Sequence, residues 1–561
     1  MKHTHTYDHY YRYDEIAQLL RGYADSHPEL CRLTSIGTTP EGREMLLLSV
    51  TDLATGDFET KPALLIEANI HAGEVTGSMT VMFALDTIFS NLDDSKIMNT
   101  LRTHTIYALP RISPDGSEYY LTEPGTVRSA PRFHPYPELQ PGLQRKDMDG
   151  DGVIRQMRIK TPYGAWKISE KDPRVMTRRQ PDEVEGDFYN VYDEGYMEGE
   201  WDGLEITPAP SPFGNDFNRN FPLAWMPESG QAGAGDYPLS NPETRANADF
   251  ILAHPNICAI VNMHTSGGQN LYPPGWESPS KAIKEDIDLN KAISRLAHEE
   301  NGYVMLNISA DYLGDSTANG SFDDFSHFAL GIPSMTIECW DLNERAGNHA
   351  TYPPKNSKTD EEKENEAIAV LKWVDENVSP DTFRPWTAFE HPQLGPVEIG
   401  GCDAKFISQN PPPAFLEQEV EKHTRFFLRL VNILPQLQLE SVETKPLGEG
   451  VWLVEAVCGN RGYMSTYLLK EALKFKKLQG VTVELTGLEV LEGQAKADLG
   501  HLLGNSGYMA MSRGLSAGTA IRGGAMRKKA SWVVKGNPGD KFTLVVSSGK
   551  AGCFTVEAEL K

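Results

Sequence analysis

His71-Ala72-Gly73-Glu74 sets an imidazole and a carboxylate three residues apart, directly after an apolar run at 63–70. At a strand-to-helix turn, two such side chains can converge on one cation. Zinc accepts imidazole nitrogen and carboxylate oxygen at about 2.0–2.2 Å, and its catalytic sites take three protein ligands plus a water. Alone the pair is a weak signal. The chain has 15 histidines, and with roughly a 7% chance of Glu three residues on, composition supplies about one such pair. His264 adds weight because it ends a second apolar run at 259–263 and precedes Thr265-Ser266-Gly267-Gly268, a position from which it can reach the same crevice. Taken singly, it reads as a hydrogen-bonded core histidine. Glu338 closes a third run, 334–337. A carboxylate at a buried strand end is costly unless it is ion-paired, metal-bound or used as a base.

A second acidic group, Asp147-Met148-Asp149-Gly150-Asp151-Gly152, has the D-x-D-x-D-G spacing of a calcium loop, with Ile154 at the apolar position. Arg158 stands where the twelfth-position glutamate of such a loop belongs. Asp147, Asp149 and Asp151 are therefore either a candidate Ca2+ site or a solvated acidic turn.

These residues need elements to carry them. The apolar runs at 63–70, 105–109, 259–263 and 334–337 have the character of central strands buried on both faces. Helical spacing marks 13–29, 78–89, 281–300 and 360–378, while 33–36 and 45–50 alternate like a hairpin. Strands alternating with helices predict an α/β fold: a mixed twisted sheet flanked by helices, with active residues at the strand ends. Residues 148–213 are rich in charge, Gly and Pro and predict a long inserted loop within a domain spanning 1–380. A linker and helical segment follows at 381–435. From 436 to 561, short alternating segments separated by Gly predict a β-sandwich.

At 561 residues the chain is long enough for two to four units of about 100–200 residues each. No apolar run approaches the roughly 20 residues that span a bilayer, which argues against a membrane protein. Seventy-eight acids against 53 Lys and Arg give a net charge of -25, which repels nucleic acid and anionic lipid. The first twenty residues lack the basic start, apolar stretch and cleavage site of a signal peptide, so a cytoplasmic location is expected. Six cysteines without a C-x-x-C pair suit free thiols and not zinc ligands. His3, His5 and His9 are expected to lie in a disordered tail.

The residues from Tyr13 to Val50, His71 to Glu74, Pro114-Asp115-Gly116, Asp216-Phe217-Asn218-Arg219-Asn220-Phe221, His264 and Ile337-Glu338 occur in one order over about 10–380. That order resembles the zinc carboxypeptidase family (carboxypeptidase A-like, M14-type). The resemblance implies a zinc carboxypeptidase-like fold and one Zn2+ held by His71, Glu74 and His264, with Glu338 as the general base. It further implies that Asn218 and Arg219 bind the terminal carboxylate of a peptide substrate with a free C-terminus, and that Asp216 orients the first histidine. Arg145 matches the arginine that polarises the scissile carbonyl, and Tyr312 is the nearest candidate for the family's mobile tyrosine. Two other readings stay open: a zinc amidase or deacylase acting on a γ-linked, peptidoglycan-derived or acylated amino acid substrate, and a non-catalytic binding protein.

Overall fold

The computed structural model describes residues 2–561 apart from 315, 355–357, 514–515 and 523–524. Eight strands form one mixed sheet in the order Cys31–Thr38, Glu44–Val50, Thr105–Leu109, Ala63–Ala68, Ile257–Thr265, Ser334–Cys339, Gln269–Tyr272, Val304–Asn307. The four central strands run parallel to one another. Antiparallel pairings attach the hairpin on one side and Gln269–Tyr272 on the other. Every residue of the four central strands is buried, which is why they read as predominantly apolar runs.

The helix Val75–Phe89 is buried on nearly all sides and packs on Ala63–Ala68 and Ile257–Thr265. At Gly77 an added Cβ would come 2.7 Å from the Met263 carbonyl oxygen, so glycine is what lets the helix start this close to the sheet. Pro413–Val431 packs against this helix and against Lys284–Asn301.

Register decides what meets at the strand ends. His264 lies opposite Glu338 in the parallel ladder, and Met263 lies opposite Ala68. His71, three residues beyond Ala68, therefore emerges at the same end of the sheet.

Three expectations are corrected. Residues 148–213 are not a long loop. Gln156–Lys160, Trp166–Ile168, Met176–Arg178 and Tyr189–Asp193 build a second sheet, completed by Arg384–His391 and Gly395–Gly401. Its core joins Leu143, Met157 and Met197 to Val397 and Ile399; strands of three to five residues with partners so distant in sequence carry almost no local signal. Of the linker and helical segment expected at 381–435, the helix is present as Pro413–Val431 and enters the main core through Leu416, Val420, Phe426, Phe427 and Leu430, whereas the linker part is a hairpin that finishes that sheet. The N-terminal histidines are not in a disordered tail. The N–H groups of Thr4 and His5 donate to the buried Asp86 carboxylate at 3.0 and 2.8 Å, His3 packs on Phe83, and His9 bridges Asp8 and Glu15. A carboxylate inside a buried helix needs such donors.

The C-terminal part contains two four-stranded antiparallel sheets sharing one core, and a two-stranded ribbon, Tyr508–Arg513 with Ser516–Arg522. Along Val451–Asn460 and Lys541–Ser548 burial alternates residue by residue, the pattern of a sheet with one face in a sandwich. It is joined to the main body by apolar and polar contacts: Met464, Leu468 and Leu469 enter the main core, Asp286 accepts the N–H groups of Lys470 and Glu471 at 2.7 and 2.9 Å, and Lys550 Nζ donates to the Ile257 carbonyl at 2.9 Å. Among the described residues, no helix is long and apolar enough to cross a membrane.

Candidate metal centre

His71 and Glu74 flank the turn that leads from the strand Ala63–Ala68 into the helix Val75–Phe89, and Glu74 is the residue just ahead of its first turn. His264 and Glu338 sit near the ends of the next two strands. His71 Nδ1 is 2.8 Å from Glu74 Oε1, His264 Nδ1 is 2.9 Å from Glu74 Oε2, and the two Nδ1 atoms are 3.1 Å apart. Three donors each about 2.0–2.2 Å from a tetrahedral ion would themselves lie roughly 3.3–3.6 Å from one another. The two imidazole nitrogens lie slightly closer than that and each faces a different oxygen of the Glu74 carboxylate, so a small outward movement seats the ion. Two imidazole nitrogens facing at that distance cannot both carry protons, and one shared cation satisfies all three side chains at once. The donor set fits zinc.

Electrostatics follow from this crowding. Burial favours the protonated form of Glu74, yet His71 and His264 outweigh it and hold the carboxyl well below the ordinary range. Burial works against charge on His264, and Glu74 more than reverses that, leaving the imidazole at about 9. Glu338 is pushed the other way: burial and then the negative charge of Glu74 raise it, with His264 and Arg128 opposing. Its Oε2 is buried with no hydrogen-bond partner among the described residues.

Asp216 ties the centre together from the side. Its Oδ1 lies 3.1 Å from His71 Nε2 and also accepts the Asn218 N–H at 2.9 Å, capping the turn Phe217–Arg219. Its Oδ2 accepts from Arg128 Nε at 3.0 Å. Burial would raise this carboxyl, but Arg128, His71 and Arg219 drive it well below the usual range. Asn218 and Arg219 are half-buried beside it; Asn218 Oδ1 accepts the Phe322 N–H at 2.8 Å. Tyr312 packs against Leu271, Leu306 and Ile308, and its phenol is raised far above its ordinary value, with the Glu338 carboxylate as the largest cause and burial next.

The arginine at the centre is Arg128, not Arg145. Arg128 Nη1 is 3.5 Å from Glu74 Oε1, and its carbonyl accepts the Ala72 N–H at 2.7 Å. Arg145 ends the strand Gly142–Arg145 with its side chain 57% exposed, 2.8 Å from Asp193 and 3.4 Å from Thr126 Oγ1. That strand pairs with Gly195–Glu198, outside the main sheet. Arg128 was missed because it sits in an irregular segment. The available signal was its place ahead of Ser129-Ala130, small residues of the kind that closely packed segments use; Ser129 Oγ accepts the Phe217 N–H at 3.0 Å. Arg128→Ala is expected to lower kcat about 10²–10³-fold while Arg145→Ala stays within about twofold of the parent; steady-state kinetics on one peptide decides between them, and the reverse ranking would restore Arg145.

A family model described as zinc carboxypeptidase matches residues 16–369, and the chain belongs to that family of metallopeptidases. Carboxypeptidase B of Astacus astacus is 34% identical over 351 residues, 62% of this chain and 90% of that one. A zinc carboxypeptidase of Saccharothrix mutabilis subsp. capreolus is 32% identical over 127 residues, covering 22% of this chain and 28% of its own. Among solved structures, carboxypeptidase A from Helicoverpa armigera aligns with a TM-score of 0.38 at 17% identity, over 66% of this chain and 73% of that one. Residues 436–559 match a second model, described as a domain of unknown function.

Proposed function

We propose that the protein removes the C-terminal residue of peptides, with zinc held by His71, Glu74 and His264 and with Glu338 as general base. The observation that carries this reading is the meeting, at one end of the sheet, of three donors spaced for a single ion and a buried carboxylate on the adjoining strand. Zinc, when bound, supplies Lewis acidity that polarises a carbonyl and acidifies water. Glu338 takes the proton from the attacking water and returns it to the leaving amine, and the burial that raises its pKa makes it a stronger base. Asp216 accepts the Nε2–H of His71, which fixes the tautomer that leaves Nδ1 as the donor.

Arg128, anchored on Asp216, sets a positive charge beside Glu74 where negative charge develops on the substrate oxygen. Asn218 and Arg219 bind the free carboxylate, for which a planar guanidinium offers two parallel donors. Tyr312 supplies a hydroxyl on the Glu338 side. Asp147, Asp149 and Asp151 take no part in this reaction.

The test is a mass-spectrometric comparison of one peptide with its C-terminal amide. Loss of one residue from the free acid, and none from the amide, is the expected result. Replacing Arg219 with alanine removes a charge-assisted pair of about 1.5–3 kcal/mol, which lowers kcat/KM for the acid roughly 10–150-fold. Equal processing of acid and amide would exclude the carboxylate-binding role. Cleavage only of γ-linked or acylated substrates would point to the amidase reading instead.

A further inference from the structure

We propose that the loop 147–153 together with Glu194 forms a calcium site, separate from the catalytic centre and independent of the reaction assigned to it. Asp147, Asp149 and Asp151 each bring a carboxylate oxygen within 4.8 Å of the others. Oxygens around an ion bonded at about 2.3–2.6 Å span that distance or less. An acidic cluster by itself proves little, and what distinguishes this one is the residue beneath it.

Glu194 has no exposed surface. Its Oε1 accepts the N–H of Met148, inside the loop, at 3.0 Å. Its main chain clamps both flanks: its carbonyl accepts the Lys146 N–H at 3.0 Å, and its N–H donates to the Arg155 carbonyl at 2.9 Å. The second oxygen, Oε2, is buried and has no hydrogen-bond partner among the described residues. A carboxylate so placed is costly unless it is protonated or bound to a cation. Burial is the main cause that raises its pKa, to about 7; the Met148 N–H opposes this, and the charges of Asp149, Asp147 and Asp151 add to it. Glu194 thus places, from a residue between two strands, a fourth carboxylate against the loop.

The charges also balance around a divalent ion. Four carboxylates face two guanidiniums: Arg384 Nη1 is 2.7 Å from Asp149 Oδ2 and 2.6 Å from Asp151 Oδ2, and Arg155 Nε is 2.7 Å from Asp151 Oδ2. With all four acids ionised, two negative charges remain. An all-oxygen donor set on a flexible loop suits calcium better than zinc, which favours nitrogen and sulfur, or magnesium, which keeps its water and demands strict octahedral geometry.

The experiment is isothermal titration of CaCl2 into full-length, zinc-loaded protein in calcium-free buffer, with MgCl2 as the comparison. One calcium per chain is expected, bound more tightly than magnesium. Glu194→Gln and Asp149→Asn should each weaken binding about tenfold or more with zinc content unchanged. Arg384→Gln separates a metal site from a permanent ion-pair cluster: calcium raises the melting temperature of this variant if the site binds metal, and leaves it unmoved if Arg384 alone was holding the loop. No binding at about 10 mM calcium, above the range of the weakest such loops, would overturn the proposal. So would unchanged affinity in both carboxylate variants.

Discussion

A Glu338→Gln variant keeps its zinc and loses about two to four orders of magnitude in kcat, the usual share of a positioned general base. In activation free energy that is about 3–5 kcal/mol. The amide has nearly the shape of the carboxylate and fills the same buried place between His264 and the strand Gln269–Tyr272, so the fold has no reason to change. What it cannot do is accept a proton from water. Because burial and Glu74 raise the pKa of Glu338, the parent enzyme should also lose kcat/KM on the acid side as this carboxylate is protonated, a limb that the variant lacks. Single-turnover kinetics and metal analysis on the same sample give the answer. Activity within tenfold of the parent, with zinc present, would remove Glu338 from the proton-transfer role.

His264→Ala has a different signature. It deletes one of three donors and leaves Glu74, buried and held in its charged form by both imidazoles, with one imidazole instead of two. The variant should emerge from dialysis with little zinc and with activity down on the order of 10⁴-fold or more, since both the Lewis acid and its water are lost together. Breaking a buried charged pair also costs about 3–5 kcal/mol of stability, so melting temperature and metal content should fall in parallel. His349→Ala, at an exposed histidine paired with Glu344, serves as the control and should retain full zinc. Normal zinc content in the His264 variant would mean that the ion is held elsewhere.

The two variants separate metal binding from proton transfer, a distinction already visible in the chain itself. The proposed ligands His71 and His264 lie at the ends of parallel strands, and such strands, buried on both faces, announce themselves as largely hydrophobic runs. That is why the ends at His71, His264 and Glu338 could be picked out. Which strands are neighbours is set by pairing between segments up to about 200 residues apart, so the juxtaposition of His264 with Glu338 is a property of the register and no local pattern encodes it. Arg128 shows the limit from another side. Its position depends on one main-chain bond to Ala72 and one side-chain bond to Asp216, neither of which leaves a periodic trace.

The second sheet was hidden for a related reason. Trp166–Ile168 and Met176–Arg178 are three residues each, and Gln156–Lys160 finds its neighbour in Gly395–Gly401 far downstream. The C-terminal sheets were easier to see because strands of eight to ten residues alternate cleanly between core and solvent. Glu194 could not have been found from the acidic loop alone. It belongs to the loop only because Gly142–Arg145 and Gly195–Glu198 pair and bring it underneath.

X-ray absorption at the zinc edge of the purified full-length protein tests the central claim most directly. Two imidazole nitrogens and one carboxylate oxygen should appear at about 2.0–2.2 Å, one zinc per chain, with no sulfur at about 2.3 Å. A sulfur shell, or an absorber whose ligand set is unaltered when His264 is replaced, would contradict the assignment of His71, Glu74 and His264.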